Sequence, residues 1–109
     1  MAMDDIFVRK LEVLRAVLAF ALPVTSGYRC PDYNDEVSRT GRDGPHTTGH
    51  AVDIALYGER VHRLLEATPR MGFSGIGLRQ HGERGERCVH LDDLSAGDGR
   101  PRPWVWSYR

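Results

Sequence analysis

The sequence predicts an α+β fold, a small antiparallel sheet with helices packed to one side. Three observations predict it. An apolar stripe near the start recurs at helical spacing, later segments alternate at period two, and the order of elements lacks the regular βαβ rhythm of a parallel sheet. The 109 residues make a single domain, 1–109, large enough to bury a core but with little room for an accessory module.

Each element has a local reason. Asp4 or Asp5 caps a first helix reaching to about Phe20, with Phe7, Leu11, Leu14 and Leu18 on one stripe. Pro23 ends it. Val24 and Thr25 suggest a short strand leading into Ser26-Gly27-Tyr28-Arg29-Cys30-Pro31, and Pro31 opens a short helix through about Val37. Residues 38–48 are polar, with two glycines and a proline, and read as a loop. Residues 50–56 predict a strand, with Val52, Ile54 and Leu56 on one face and Ala51, Asp53 and Ala55 on the other. Asp53 therefore projects away from the most apolar face. Gly58 breaks this strand, Val61, Leu64 and Leu65 mark a second helix, and Pro69 ends or distorts it. Residues 72–78 form a glycine-punctuated turn and strand, and residues 80–85 a polar turn. In a strand over 87–92, Cys88, His90 and Asp92 share one face and Val89 and Leu91 the other. Trp104, Trp106 and Tyr108 follow at period two, as core or edge packing or as the wall of a peptide cleft.

Bulk properties exclude several classes. Lys plus Arg and Asp plus Glu are 15 each, so no global basic field points to nucleic acid. The local exception, Gly99-Arg100-Pro101-Arg102-Pro103, reads as a solvated turn. Asp4 and Asp5 stand where a secretory signal would carry positive charge, and no run approaches the roughly 20 apolar residues of a membrane span. The expectation is a monomer made in the cytoplasm without a signal peptide; any target outside the membrane requires release by another agent. The two cysteines, Cys30 and Cys88, belong to no C-x-x-C pair and are expected as free thiols.

His46, Asp53 and His90 carry the chemistry. Two imidazoles and a carboxylate make a mixed nitrogen–oxygen donor set suited to zinc. Three protein ligands with a fourth position open is the arrangement of a catalytic site. With five histidines in the chain, a histidine seven residues before an aspartate arises readily by chance, so the spacing alone does not carry the assignment.

The wider motifs do. Ser26-Gly27-Tyr28-Arg29-Cys30-Pro31 with Asn34 resembles the S-G-Y-R-C-P-x-x-N signature of the zinc D-Ala-D-Ala carboxypeptidase-like peptidases. His46-x-x-Gly49-x-Ala51-x-Asp53-Ile54 is similar to that family's H-x-x-G-x-A-x-D-I, Gly72-Phe73-x-Gly75-Ile76-Gly77 to its G-F-x-G-I-G, and Val89-His90-Leu91-Asp92 to its V-H-x-D. The four stand in register over residues 26–92. The resemblance implies the hedgehog/DD-peptidase fold, a small antiparallel sheet with a metal cleft on one face. It implies His46, Asp53 and His90 as ligands of Zn2+, peptidoglycan stem peptides as substrate, and a role such as that of phage or prophage lysins acting on the cell wall after release.

A metal-activated water would attack the scissile carbonyl, and a carboxylate must move its proton. Asp92 and Glu86 are the candidates for that base, Glu83 less so. Asp92 could instead orient a ligand histidine, and Glu86 could be a solvated turn carboxylate. Arg29 is the candidate for pairing with an oxyanion or a terminal carboxylate, a role the motif implies. His50 points with Val52, away from Asp53, and reads as a packed or exposed histidine. The chain departs from the family at Gly44, at His50, at Pro69 and at Arg87, where several branches carry an acid three residues before the last ligand. Arg87 therefore leaves the base open. The competing expectations are an inactive zinc-containing binding domain, a structural part of a phage particle, and a dipeptidase for small D-amino acid substrates.

Overall fold

The computed structural model describes residues 3–24, 49–97 and 99–108. The short helix expected near Pro31, the loop over 38–48, Arg29, Cys30 and His46 lie outside these residues.

Helix α1 spans Asp5–Leu18. Asp4 caps it, its carboxylate accepting the Phe7 N–H at 3.0 Å. Ala19 closes it at φ 61°, two residues short of the expected end, and donates its N–H to the Arg15 carbonyl. Strand β1 (Ala51–Ile54) follows, then α2 (Glu59–Ala67). Pro69 does not interrupt α2; it opens a separate 3-10 turn, Pro69–Met71. Strand β2 (Gly75–Arg79), a second 3-10 turn (Arg84–Glu86), β3 (Cys88–Asp92) and β4 (Trp104–Ser107) complete the order. Among the described residues no helix is long and apolar enough to cross a membrane.

The four strands lie in the order β1-β3-β2-β4. β3 pairs antiparallel with both β1 and β2, but β4 runs parallel to β2. The sheet is therefore mixed, and the expectation of a purely antiparallel sheet is corrected. The reason is where β3 ends. Asp92 lies opposite Gly75, the first residue of β2, and Trp104 also enters beside Gly75. The connection turns round the near end of the sheet, so the next strand starts level with β2 and runs with it.

Period-two alternation divides the sheet's faces. Val52, Ile54, Ile76, Val89 and Leu91 join Phe7, Leu14 and Leu18 of α1 and Val61 and Leu64 of α2 in one buried core. Phe7 is fully buried and meets Phe73 edge-on, with centroids 5.9 Å apart. The start of α1 is also tied to the sheet ends. The Asp4 N–H donates to the Gly49 carbonyl, whose residue sits at φ 77°. Asp93 then takes Lys10 at 3.1 Å and His50 at 3.0 Å. His50 is thus half-buried beside Asp93 and meets Phe7 of the core with centroids 6.2 Å apart, on the side its parity predicts.

Cys88 overturns one expectation. It is buried and disulfide-bonded, not a free thiol. The chain's only other cysteine, Cys30, lies outside the described residues. The sequence showed no paired spacing because disulfide partners are brought together by the fold and need not be near in the chain.

Candidate functional site

The face opposite the helices carries the polar residues. Strand register sets Asp53, His90, Gly77 and Trp106 in one row across all four strands. Ala51, Asp92, Gly75 and Trp104 form the next row. Small residues alternate with large ones, and this decides what fits. A Cβ built on Gly77 would come within 2.6 Å of the Trp106 indole nitrogen, and one built on Gly75 would overlap the Asp92 carboxylate. Gly75 and Gly77 of the G-F-x-G-I-G motif thus make room for the site.

At the centre, His90 is fully buried between two carboxylates. Its Nδ1 lies 3.3 Å from Asp53 Oδ1, and its Nε2 lies 2.7 Å from Asp92 Oδ2. Arg102 grips the far side of Asp92 with two bonds, Nε to Oδ1 at 2.9 Å and Nη2 to Oδ2 at 2.7 Å. The Leu94 N–H adds a bond to Oδ1 at 3.3 Å. An ionised carboxylate has about four acceptor positions, and those of Asp92 are filled by Arg102, His90 and Leu94. Trp106 packs against His90 with centroids 5.1 Å apart, and the Arg102 guanidinium stands 5.1 Å over the same indole.

Arg102 is the residue that sequence reasoning missed. The segment expected to be a solvated turn places its side chain at 5 % exposure. The cause is Asp92, fully buried and costly to leave without a cation. A signal did exist: an aspartate on a buried strand face demands a basic partner, and Arg100 and Arg102 are the next basic residues along the chain. Trp106 packs on the edge strand beside His90, while Trp104 is half exposed and Tyr108 is buried against Cys88.

The electrostatics follow from this enclosure. Burial alone would push the His90 imidazole down, but its hydrogen bonds to Asp53 and Asp92 outweigh that and hold it above its ordinary value. Burial alone would push Asp92 up. Its bonds to His90 and Arg102 hold it well below the usual carboxylate range. A buried imidazole between two carboxylates calls for positive charge at the centre.

The structure brings Asp53, His90 and Asp92 together. Glu86 takes a different position: it is exposed in the second 3-10 turn, with its carboxylate 3.8 Å from Arg79. Arg87 bonds the Gly82 carbonyl at 3.1 Å. His46 and Arg29 lie outside the described residues, and among the described residues no group of three or more His, Cys, Asp and Glu side chains is arranged to hold a metal ion.

Gly75→Ala tests the packing of this face. The added methyl must displace a carboxylate held by four hydrogen bonds, and overpacking of this kind costs about 1–3 kcal/mol. Gly85→Ala, with nothing within 4 Å of its Cβ, is the control. Urea unfolding should show a lower midpoint for Gly75→Ala only. Equal midpoints would remove the steric role given to Gly75.

The family model of Peptidase M15 matches residues 4–92. The chain belongs to this family of zinc D-Ala-D-Ala carboxypeptidase-like peptidases. Asp53, His90 and Asp92 lie within the matched span, and Arg102 and Trp106 beyond it. No curated protein and no solved structure matches the chain.

Proposed function

We propose that the protein is a zinc-dependent peptidase that hydrolyses peptide bonds in peptidoglycan stem peptides, as a D-Ala-type carboxypeptidase or an endopeptidase. The observation that carries this reading is the buried Asp53–His90 pair, 3.3 Å apart, at the positions of two motif ligands. Two ligand atoms on one tetrahedral zinc, each about 2.0–2.2 Å from it, stand about 3.4 Å apart. The spacing of these two donor atoms is therefore compatible with one tetrahedral zinc. Asp53 Oδ1 and His90 Nδ1 would hold the ion, and His46 is the third ligand in this reading. Bound zinc supplies a polarised water whose pKa falls towards neutrality.

The protein's own residues prepare that site. The His90 Nε2–H donates to Asp92, which leaves Nδ1 directed at Asp53. We assign Asp92 to orienting His90 in preference to moving the water's proton, because its acceptor positions are occupied. Arg29 is proposed to bind an oxyanion or a terminal carboxylate of the substrate. The proposed setting is the cell wall, reached after release, as for a phage- or prophage-encoded lysin.

A second reading is an inactive, zinc-containing domain that binds the wall or a phage particle. Arg87, standing where related branches place an acid, favours it. The deciding experiment is mass spectrometry of purified peptidoglycan incubated with zinc-loaded protein, beside a chelator-treated control. Metal-dependent fragments establish the peptidase and identify the bond. Folded, zinc-bearing protein that yields none points to the binding domain.

A further inference from the structure

We propose that Arg102 is a positioning residue of this site: through Asp92 it fixes the ring of His90 in the orientation that presents Nδ1 to the metal. The inference rests on the zinc reading above and extends it to a segment beyond the residues matched by the family model.

Four observations carry it. First, the contact is a fork. Nε and Nη2 of one guanidinium reach the two oxygens of one carboxylate at 2.9 and 2.7 Å, a bidentate geometry that favours one orientation of the carboxylate. Second, the fork leaves Asp92 Oδ2 at 2.7 Å from His90 Nε2, so the Nε2 edge of the imidazole is anchored to a carboxylate that is itself held. Third, the guanidinium is itself immobilised. It is 5 % exposed, lies 5.1 Å over the Trp106 ring, and its Nη1 bonds the Pro101 carbonyl at 2.7 Å. Fourth, Trp106 also touches His90, so one aromatic plate supports both ends of the chain from Arg102 to the imidazole. A surface ion pair would show none of this enclosure and would carry little energy. Strand β4 therefore contributes an outer layer to the centre, held there by its parallel pairing with β2.

The test compares wild type, Arg102→Gln and Arg102→Lys with two readouts. One is the hydrogen-bonded His90 ring N–H signal in long-range proton–nitrogen NMR of the metal-free protein. The other is zinc affinity by competition with a chromogenic chelator. Arg102→Gln is expected to lose or broaden the ring signal and to weaken zinc binding about 10–100-fold, the range for outer-shell partners of a ligand histidine. Arg102→Lys keeps the charge without the fork and is expected to fall between. It also carries the test if the glutamine variant does not fold. A ring signal unchanged in both variants, with zinc affinity within twofold of wild type, overturns the proposal. Wild type that binds no zinc, but whose ring signal still depends on Arg102, overturns the metal reading and leaves the hold of Arg102 on His90 in place.

Discussion

Asp53→Asn is expected to lose zinc and turnover together while the protein stays folded. Asparagine keeps the shape of the side chain, and His90 remains anchored to Asp92 at 2.7 Å. What disappears is the negative oxygen 3.3 Å from His90 Nδ1. An amide oxygen is a poorer zinc ligand than a carboxylate, and its N–H₂ end repels a cation. The loss of turnover on peptidoglycan should exceed about 100-fold, the upper end for outer-shell substitutions, because Asp53 is read as a ligand and not as a ligand's support. Metal content after gel filtration should fall in parallel, with a thermal midpoint measured in chelator close to that of wild type. A variant that keeps its zinc and works within about tenfold of wild type would remove Asp53 from the ligand set.

The largest effect on stability is expected at Phe7→Ala. Phe7 is fully buried, packs edge-on against Phe73, and meets His50 with centroids 6.2 Å apart. It joins α1 to the core at the point where Asp4 and Lys10 tie the same helix to the sheet ends. Truncation of a buried phenylalanine costs about 3–5 kcal/mol. A domain of this size has only about 5–15 kcal/mol in total. Denaturant unfolding should show a much lower midpoint with an unchanged slope. The neighbouring Ile6→Ala, 68 % exposed, should shift it little. A loss below about 1 kcal/mol at Phe7 would mean that α1 is not integral to the core.

The parts of the fold read correctly from sequence are those encoded by local periodicity. Phe7, Leu14 and Leu18 define α1 because residues at helical spacing share a face whatever the rest of the chain does. The alternation of Val52 and Ile54 against Asp53 placed the carboxylate on the correct side of β1 for the same reason. The motifs gave His46, Asp53 and His90 as a set; register sets Asp53 and His90 opposite each other, and His46 lies outside the described residues. The direction of β4 and the burial of Arg102 were not legible. Both depend on which edge of the sheet the chain meets after Asp92. Nothing local to residues 93–103 encodes that choice. An arginine among glycine and prolines looks solvated until its partner is known to be buried. Asp92 was open between two roles because strand parity gives the face but not the number of hydrogen bonds its carboxylate receives.

Gly77 and Trp106 share one volume divided between two strands. The indole occupies the space a side chain on β2 would need, to within 2.6 Å of a built Cβ. Drift at either position is therefore coupled to the other. A larger residue at 77 becomes tolerable only beside a smaller one at 106, and that exchange would withdraw the ring that backs both His90 and Arg102. The bare backbone of β2 and the placement of His90 on β3 thus depend on each other through one ring.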